Sequence, residues 1–118
     1  MKFADKYNKG KNVFEIDIKD FTFIDGYDFL KETQGKPVKI DGLYINNKSV
    51  YDDHPVAIIA GDKTLLDLPS HMTEVVLEIL QDAEAVATIK NGVVGLKAHE
   101  YTDKKYHKQC VGFEWCDL

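Results

Sequence analysis

Hydrophobic positions change period twice along this chain, and the changes divide it into strand, helix and strand again. From Val13 to Lys19, Phe14, Ile16 and Ile18 alternate with Glu15, Asp17 and Lys19, a period of two that predicts a half-buried strand. Phe21 and Phe23 continue the alternation. Asp25-Gly26 then turns the chain into Tyr27 to Gln34, a segment with room for one or two helical turns before Gly35. Val38 to Asn46 is the next strand, with Gly42 marking a bend, a bulge or a close backbone approach. Pro55 to Ala60 and Thr64 to Leu68 are apolar runs around Gly61-Asp62-Lys63, the pattern of a tight hairpin. The near-continuous Val56 to Ala60 predicts burial on both faces.

The period then becomes helical. Met72, Val75, Val76, Ile79 and Leu80 recur at i, i+3, i+4, i+7 and i+8, which draws one apolar stripe. Ser70 after Pro69 is the expected N-cap. Asp82 recaps a second short segment, Ala83 to Lys90, which Asn91-Gly92 ends. A helical block from Ser70 to Gly92, bent or broken near Asp82, follows. Val93 to Tyr101 and Tyr106 to Cys116 form a second hairpin around Thr102-Asp103-Lys104-Lys105. In its last strand Val111, Phe113 and Trp115 share the face expected to be core, and Cys110, Gly112, Glu114 and Cys116 share the other.

From Val38 onward the order is strand, strand, strand, helical block, strand, strand. The expected class is α+β, mostly β: an OB-like five-stranded barrel with the helix between third and fourth strands, and Val13 to Lys19 as an extra N-terminal strand. A small α+β roll gives the same string of elements. A chain of 118 residues, 44% of them hydrophobic, makes one domain (1–118) with an ordinary core. Met1 to Lys11 is polar and rich in lysine and reads as a loose arm. It lacks the apolar stretch of a signal peptide, and no apolar run reaches the roughly 18 residues of a membrane span. The expectation is a cytoplasmic protein with no membrane partner.

Charge narrows the partners. The chain has 15 Lys, no Arg and 20 acidic residues, for a net charge of −5. Without Arg there is no planar fork for bidentate reading of guanine, which argues against sequence-specific DNA readout. An acidic balance opposes bulk attraction to nucleic acid but leaves room for a local basic groove. Cationic and aromatic side chains interleave at one place, the hairpin tip Tyr101, Lys104, Lys105, Tyr106, His107 and Lys108. Such a composition suits non-specific single-strand binding, in which Lys neutralises phosphate and rings stack on bases. Taken alone, a solvated turn that Lys blunts against edge pairing explains it better.

Catalytic and metal chemistry find little support. Asp52, Asp53 and His54 are adjacent and point in different directions, with no second ligand cluster at a recognised spacing. Cys110 and Cys116 lie about 20 Å apart along one strand, too far for one disulfide or one zinc tetrahedron with His107. Reduced thiols are the expectation. His71 and His107 have no orienting partner that would make either the base of a nucleophile pair. No cofactor and no metal are expected.

The stretches Gly42-Leu43-Tyr44-Ile45-Asn46-Asn47-Lys48-Ser49, Pro55-Val56-Ala57-Ile58, Leu66-Asp67-Leu68-Pro69-Ser70-His71 and Gly112-Phe113-Glu114-Trp115-Cys116-Asp117 resemble small proteins encoded by phages, conjugative plasmids and integrative elements of low-G+C Gram-positive bacteria. The resemblance covers most of the chain from about Val13 and carries no catalytic signature. It implies a mobile-element accessory protein.

Three functions from different classes follow. The first is single-stranded DNA binding in the manner of an SSB protein, through the first-second and fourth-fifth loops of the OB order. Its residues would be Tyr44, Lys48 and Tyr51 on one side and Lys104, Lys105, Tyr106 and Lys108 on the other. Proteins of this type often assemble through a strand edge, so a homo-oligomer is an open expectation. The second is an inhibitor of a host defence nuclease, such as an anti-CRISPR protein, binding through Asp52, Asp53, Glu74 and Glu78. The third, an enzyme, ranks last because no catalytic constellation can be defended. Net charge favours the second and strand order the first; the reading adopted is DNA binding.

Overall fold

A computed structural model describes residues 13–46, 54–105 and 107–118. The expected N-terminal arm, 1–11, lies outside them. Among these residues six strands form one curled, half-barrel sheet: β1 (Thr22–Ile24), β2 (Val38–Asn46), β3 (His54–Ile59), β4 (Thr64–Asp67), β5 (Val94–Asp103) and β6 (Lys108–Asp117). Their spatial order is β1-β4-β3-β2-β5-β6, antiparallel throughout except for β1 alongside β4. The helices are α1 (Gly26–Thr33), α2 (Thr73–Gln81) and α3 (Ala83–Lys90), with a 3-10 turn at Ser70–Met72 before α2. No helix among the described residues is long and apolar enough to cross a membrane.

The fold is α+β and mostly strand, as the alternation predicts, and β2 has the expected bounds. At Gly42 the ladder slips: Ile40 faces Ile59 but Gly42 faces Ile58, which leaves Asp41 as a bulge. Gly42 also meets the second expectation, a close approach. A Cβ there would stand 2.7 Å from Phe14 Cγ and 2.9 Å from Phe14 Cβ. The ring of Phe14 thus lies on bare backbone, and Phe14 is buried.

Both faces of the sheet carry apolar cover. On the concave face Ile40, Leu43, Ala57, Ile59, Leu66 and Leu96 pack with Phe29 of α1, Val76 and Leu80 of α2 and Val86 and Ile89 of α3. On the other face Val56, Ile58 and Leu65 form a smaller cluster against Ile16, Ile18, Phe21 and Tyr44. This two-sided burial is why Pro55 to Ile59 is apolar without interruption.

The helical block breaks where its sequence says. Asp82 has extended backbone angles (φ −104°, ψ 105°), and its Oδ1 accepts from the N–H groups of Glu84 at 3.0 Å and Ala85 at 3.2 Å. Gly92 ends the block at φ +76°. α1 closes as expected, with Gln34 and Gly35 both left-handed (φ 56° and 74°).

Four expectations need correction. Val13 to Lys19 is not a strand: the alternating burial is there, but Glu15 at φ 55° reverses the backbone, and the residues lie over the sheet instead of in it. The pairing passes to Thr22–Ile24, which borders β4. Ser70 makes no cap; α2 starts from Met72 with no side-chain bond, because the 3-10 turn supplies the preceding helical geometry. Val75 leaves the stripe, 43% exposed beside Leu77 at 37%, since the sheet beneath α2 touches only the Met72-Val76-Leu80 line closely enough to bury it. The second hairpin turns later than expected. Thr102 pairs with Gln109 and Asp103 with Lys108, so the loop is 104–107, stabilised by Asp103 Oδ1 accepting from Lys105 N–H at 2.8 Å.

Barrel closure is also incomplete. The outer edge of β4 is occupied by β1, and no ladder joins β4 to β6 among the described residues. Only Val38 with Leu96 and Lys39 with Gly95 join β5 to β2. Gly95 allows that contact, because a Cβ would sit 2.7 Å from the Val38 carbonyl oxygen.

Candidate functional site

The open side of the half-barrel leaves a cleft of about 390 Å³ between β6, the start of α1 and the end of β4. The two carboxylates that line it, Asp25 and Asp67, follow from topology. Ile24 of β1 lies opposite Leu66 of β4 in parallel register, so the next residues of both strands emerge side by side. Asp25 is spent as the N-cap of α1, accepting from Asp28 N–H at 2.8 Å. Asp67 Oδ1 and His54 Nε2 are hydrogen-bonded at 3.0 Å. Opposite them stand Tyr101 and Cys110, directly paired across the β5–β6 ladder, with Val111 and Phe113. His71, on the 3-10 turn, completes the rim.

Tyr27 fastens the two sides. Its hydroxyl donates to the Gln109 carbonyl at 2.8 Å, which ties α1 to the first residues of β6 while its ring remains 54% exposed. Tyr101 is 44% exposed. Its phenol is held above the usual tyrosine range, chiefly by the neighbouring Cys110 thiol, with lesser contributions from desolvation and Asp103. Neither cysteine is in a disulfide, and each thiol points back to a carbonyl two residues earlier, Cys110 to Lys108 and Cys116 to Glu114.

The residues expected to bind DNA distribute unevenly about this cleft. Lys104, Lys105 and Lys108 are exposed at the ribbon tip, beyond Tyr101. Tyr44 is instead half-buried on the convex face, where it lines a cavity of about 50 Å³ with Phe14, Ile16, Ile18 and Ile58. Desolvation there, with a smaller contribution from Asp67, pushes its phenol up to about 12. Lys48, Tyr51 and Tyr106 lie outside the described residues, as do Asp52 and Asp53. His54, which follows 47–53, is hydrogen-bonded to Asp67 of the cleft wall but does not itself line the cleft. Among the described residues no Lys lines the cleft itself. Its aromatic lining was missed in the sequence at Tyr27, whose only signal was an apolar residue placed beside a helix start.

No group of three or more His, Cys, Asp or Glu able to hold a metal occurs among the described residues. On the far side of the molecule a second depression, about 410 Å³, runs between Val13 and α2 and α3, lined by Leu80, Val86 and the stem of Lys90. It offers no reactive group. Comparison with protein-family models, with curated proteins and with solved structures gives no match. What defines the protein is therefore its architecture: an α+β half-barrel with an open, acidic, tyrosine-rimmed cleft beside a lysine-tipped ribbon.

Proposed function

We propose that the protein binds single-stranded DNA without sequence preference, along the ribbon tip and the aromatic rim of the cleft. The observation that carries this reading is the placement of Lys104, Lys105 and Lys108 beyond two exposed phenols, Tyr101 and Tyr27. Cations set outside stacking surfaces can hold phosphates while bases turn inward onto the rings. The strand order supports it. Taking β2 to β6 as OB strands one to five, the observed neighbours are three-two-one-four-five, the OB sequence of pairings short of its closing pair. In such barrels the first-second and fourth-fifth loops commonly hold oligonucleotides, and Tyr101 at the base of the second of them lines the cleft.

The test is anisotropy of a labelled oligo-dT across a salt series. Affinity is expected to fall with salt at about 0.7 logarithmic units per contacted phosphate. Lys104→Ala/Lys105→Ala should lower that slope by up to about 1.4, and Tyr101→Ala should cost about 1–3 kcal/mol if its ring stacks. Absence of binding at low salt would refute the proposal. A second reading is favoured by α2, whose outward side exposes Glu74, Val75, Leu77 and Glu78 together. An acidic surface with apolar members suits the basic groove of a host defence nuclease, and an inhibitor of that kind would bind its target and no DNA.

A further inference from the structure

We propose that the cleft beside β6 binds a primary alkylammonium ion, with its charged head at Asp25 and Asp67 and its hydrocarbon body against the rings of Tyr27 and Tyr101. The carboxylates set the charge. Ile24 and Leu66 are direct partners in the parallel β1–β4 ladder, so Asp25 and Asp67 leave adjacent strands with their backbones about 5 Å apart. Both side chains line the cleft. Their bonds within the fold, to Asp28 N–H and to His54 Nε2, are each made through Oδ1, and neither uses Oδ2. Two carboxylates side by side, with no Lys among the described residues of the wall, make a local negative field that an ammonium ion answers.

The rest of the wall suits an organic cation better than a metal ion. Tyr27 and Tyr101 stay exposed where they line the cleft, and Val111 and Phe113 add apolar surface. Ring faces attract a cation through their quadrupole and shelter its alkyl chain from water; a hydrated metal ion has no apolar body to place there. A hard divalent ion also needs more oxygen ligands than two carboxylates give, and no group of three or more His, Cys, Asp or Glu among the described residues could hold one. The volume of about 390 Å³ falls within the range of small-molecule sites. The backbone of β6 adds an acceptor. Leu118 N–H bonds to the Val93 carbonyl across the ladder, so even-numbered residues of β6 turn their backbone groups to β5 and odd-numbered ones turn theirs outward. Gln109, whose carbonyl accepts from Tyr27, agrees. The Val111 carbonyl therefore faces the cleft, and a primary ammonium has N–H groups to give it where a quaternary one has none.

Saturation-transfer difference NMR at fixed ionic strength tests this, with n-pentylammonium as the probe and n-pentanol as its uncharged counterpart. Pentylammonium should bind with a Kd of about 1 mM, the scale open to so small a ligand, and pentanol at least about tenfold more weakly. Asp67→Asn and Asp25→Asn, the second of which keeps a side chain able to cap α1, should each weaken pentylammonium about fivefold, as should Tyr101→Leu. Asp117→Asn, the same change in net charge at the far end of β6, should leave the affinity as it is. Circular dichroism checks that each variant is folded. N-acetyl-lysine methylamide separates the two sources of such a head group: binding tighter than that of pentylammonium assigns the site to a lysine side chain of a peptide, and weaker binding assigns it to a free amine. No saturable binding up to about 20 mM, about twenty times the expected Kd, overturns the proposal. So does equal binding of pentanol, an affinity unchanged in both Asp25→Asn and Asp67→Asn, or a loss in Asp117→Asn as large as theirs. The site shares Tyr27 and Tyr101 with the proposed DNA path but does not rest on it, and since no DNA is present in these titrations, failure here and failure of oligonucleotide binding are separately visible.

Discussion

Replacing Gly42 by Ala adds one carbon where there is no room for it. The new Cβ would lie 2.7, 2.9 and 3.1 Å from three atoms of Phe14, and Phe14 is only 8% exposed, so its ring has little freedom to yield. Overpacking of this kind costs about 1–3 kcal/mol. Expelling the ring altogether sets the upper limit, about 3–5 kcal/mol for loss of a buried Phe. With about 2.1 cal/mol/K of unfolding entropy per residue over 118 residues, each kcal/mol moves Tm by about 4 °C, so Gly42→Ala should lower Tm by about 4–12 °C. Urea titrations followed by Trp115 fluorescence and far-ultraviolet circular dichroism give the free energy directly. The decisive comparison is the same substitution in a Phe14→Ala background. With the ring gone the clash can relax, and Ala in a strand interior is favoured over Gly by about 0.5–1 kcal/mol. The cost should then vanish or change sign. An equal loss in both backgrounds would show that Phe14 does not rest on Gly42.

Other expectations are simpler. Asp82→Ala removes an acceptor shared by two N–H groups at the start of α3 and should cost about 0.5–2 kcal/mol in urea denaturation, whereas Asp82→Asn should recover most of it. Tyr44, with its phenol at about 12 in the fold against 10.0 for an ordinary tyrosine, keeps its proton longer folded than unfolded. Stability should therefore be unaffected by this group below pH 10 and decline as pH rises from 10 towards 12. Tyr44→Phe should flatten that decline, and a tyrosinate absorbance titration at 295 nm should lose its latest step.

How far the sequence could be read depended on the range of the interactions involved. Local determinants were legible: Asp82 announces its break because a capping carboxylate needs only the next three residues, and Gly61-Asp62-Lys63 turns β3 into β4 without help from elsewhere. The period of two at Val13 to Lys19 correctly gave which side chains turn inward, yet it could not say whether a neighbouring strand would be present to pair with them. That depends on β1 reaching β4 across some 40 residues of chain, a choice that alternation does not encode. Val75 was misplaced for a related reason. Helical spacing defines a stripe, but its width is set by how closely the sheet approaches α2, and here the approach buries one line of side chains.

The candidate site was half legible. Lys104, Lys105 and Lys108 could be placed at an exposed tip from the hairpin pattern alone. The cleft could not, because Asp25, Asp67, Tyr101 and Cys110 come together only through the parallel β1–β4 register and the curl of the sheet. Tyr44 shows the opposite error. An aromatic residue near a polar loop suggested a stacking surface, whereas in the fold it packs under Ile16 and Ile18.

The two-pair junction between β2 and β5 has a mechanical consequence. Ten pairs hold β5 to β6 and six hold β2 to β3, while among the described residues Val38–Leu96 and Lys39–Gly95 are the only ladder pairs between the halves, with the Tyr27–Gln109 bond a separate tie through α1. A pull on the ribbon would load those few hydrogen bonds in series, and they would part before either neighbouring ladder. The buried Leu96 and Ala98 side chains would oppose separation, but apolar contact tolerates sliding in a way that a hydrogen-bonded register does not. The junction is therefore the shortest ladder joining the two halves, and the ribbon would pivot there only once the Tyr27–Gln109 bond and the Phe29–Phe113 contact had also given way.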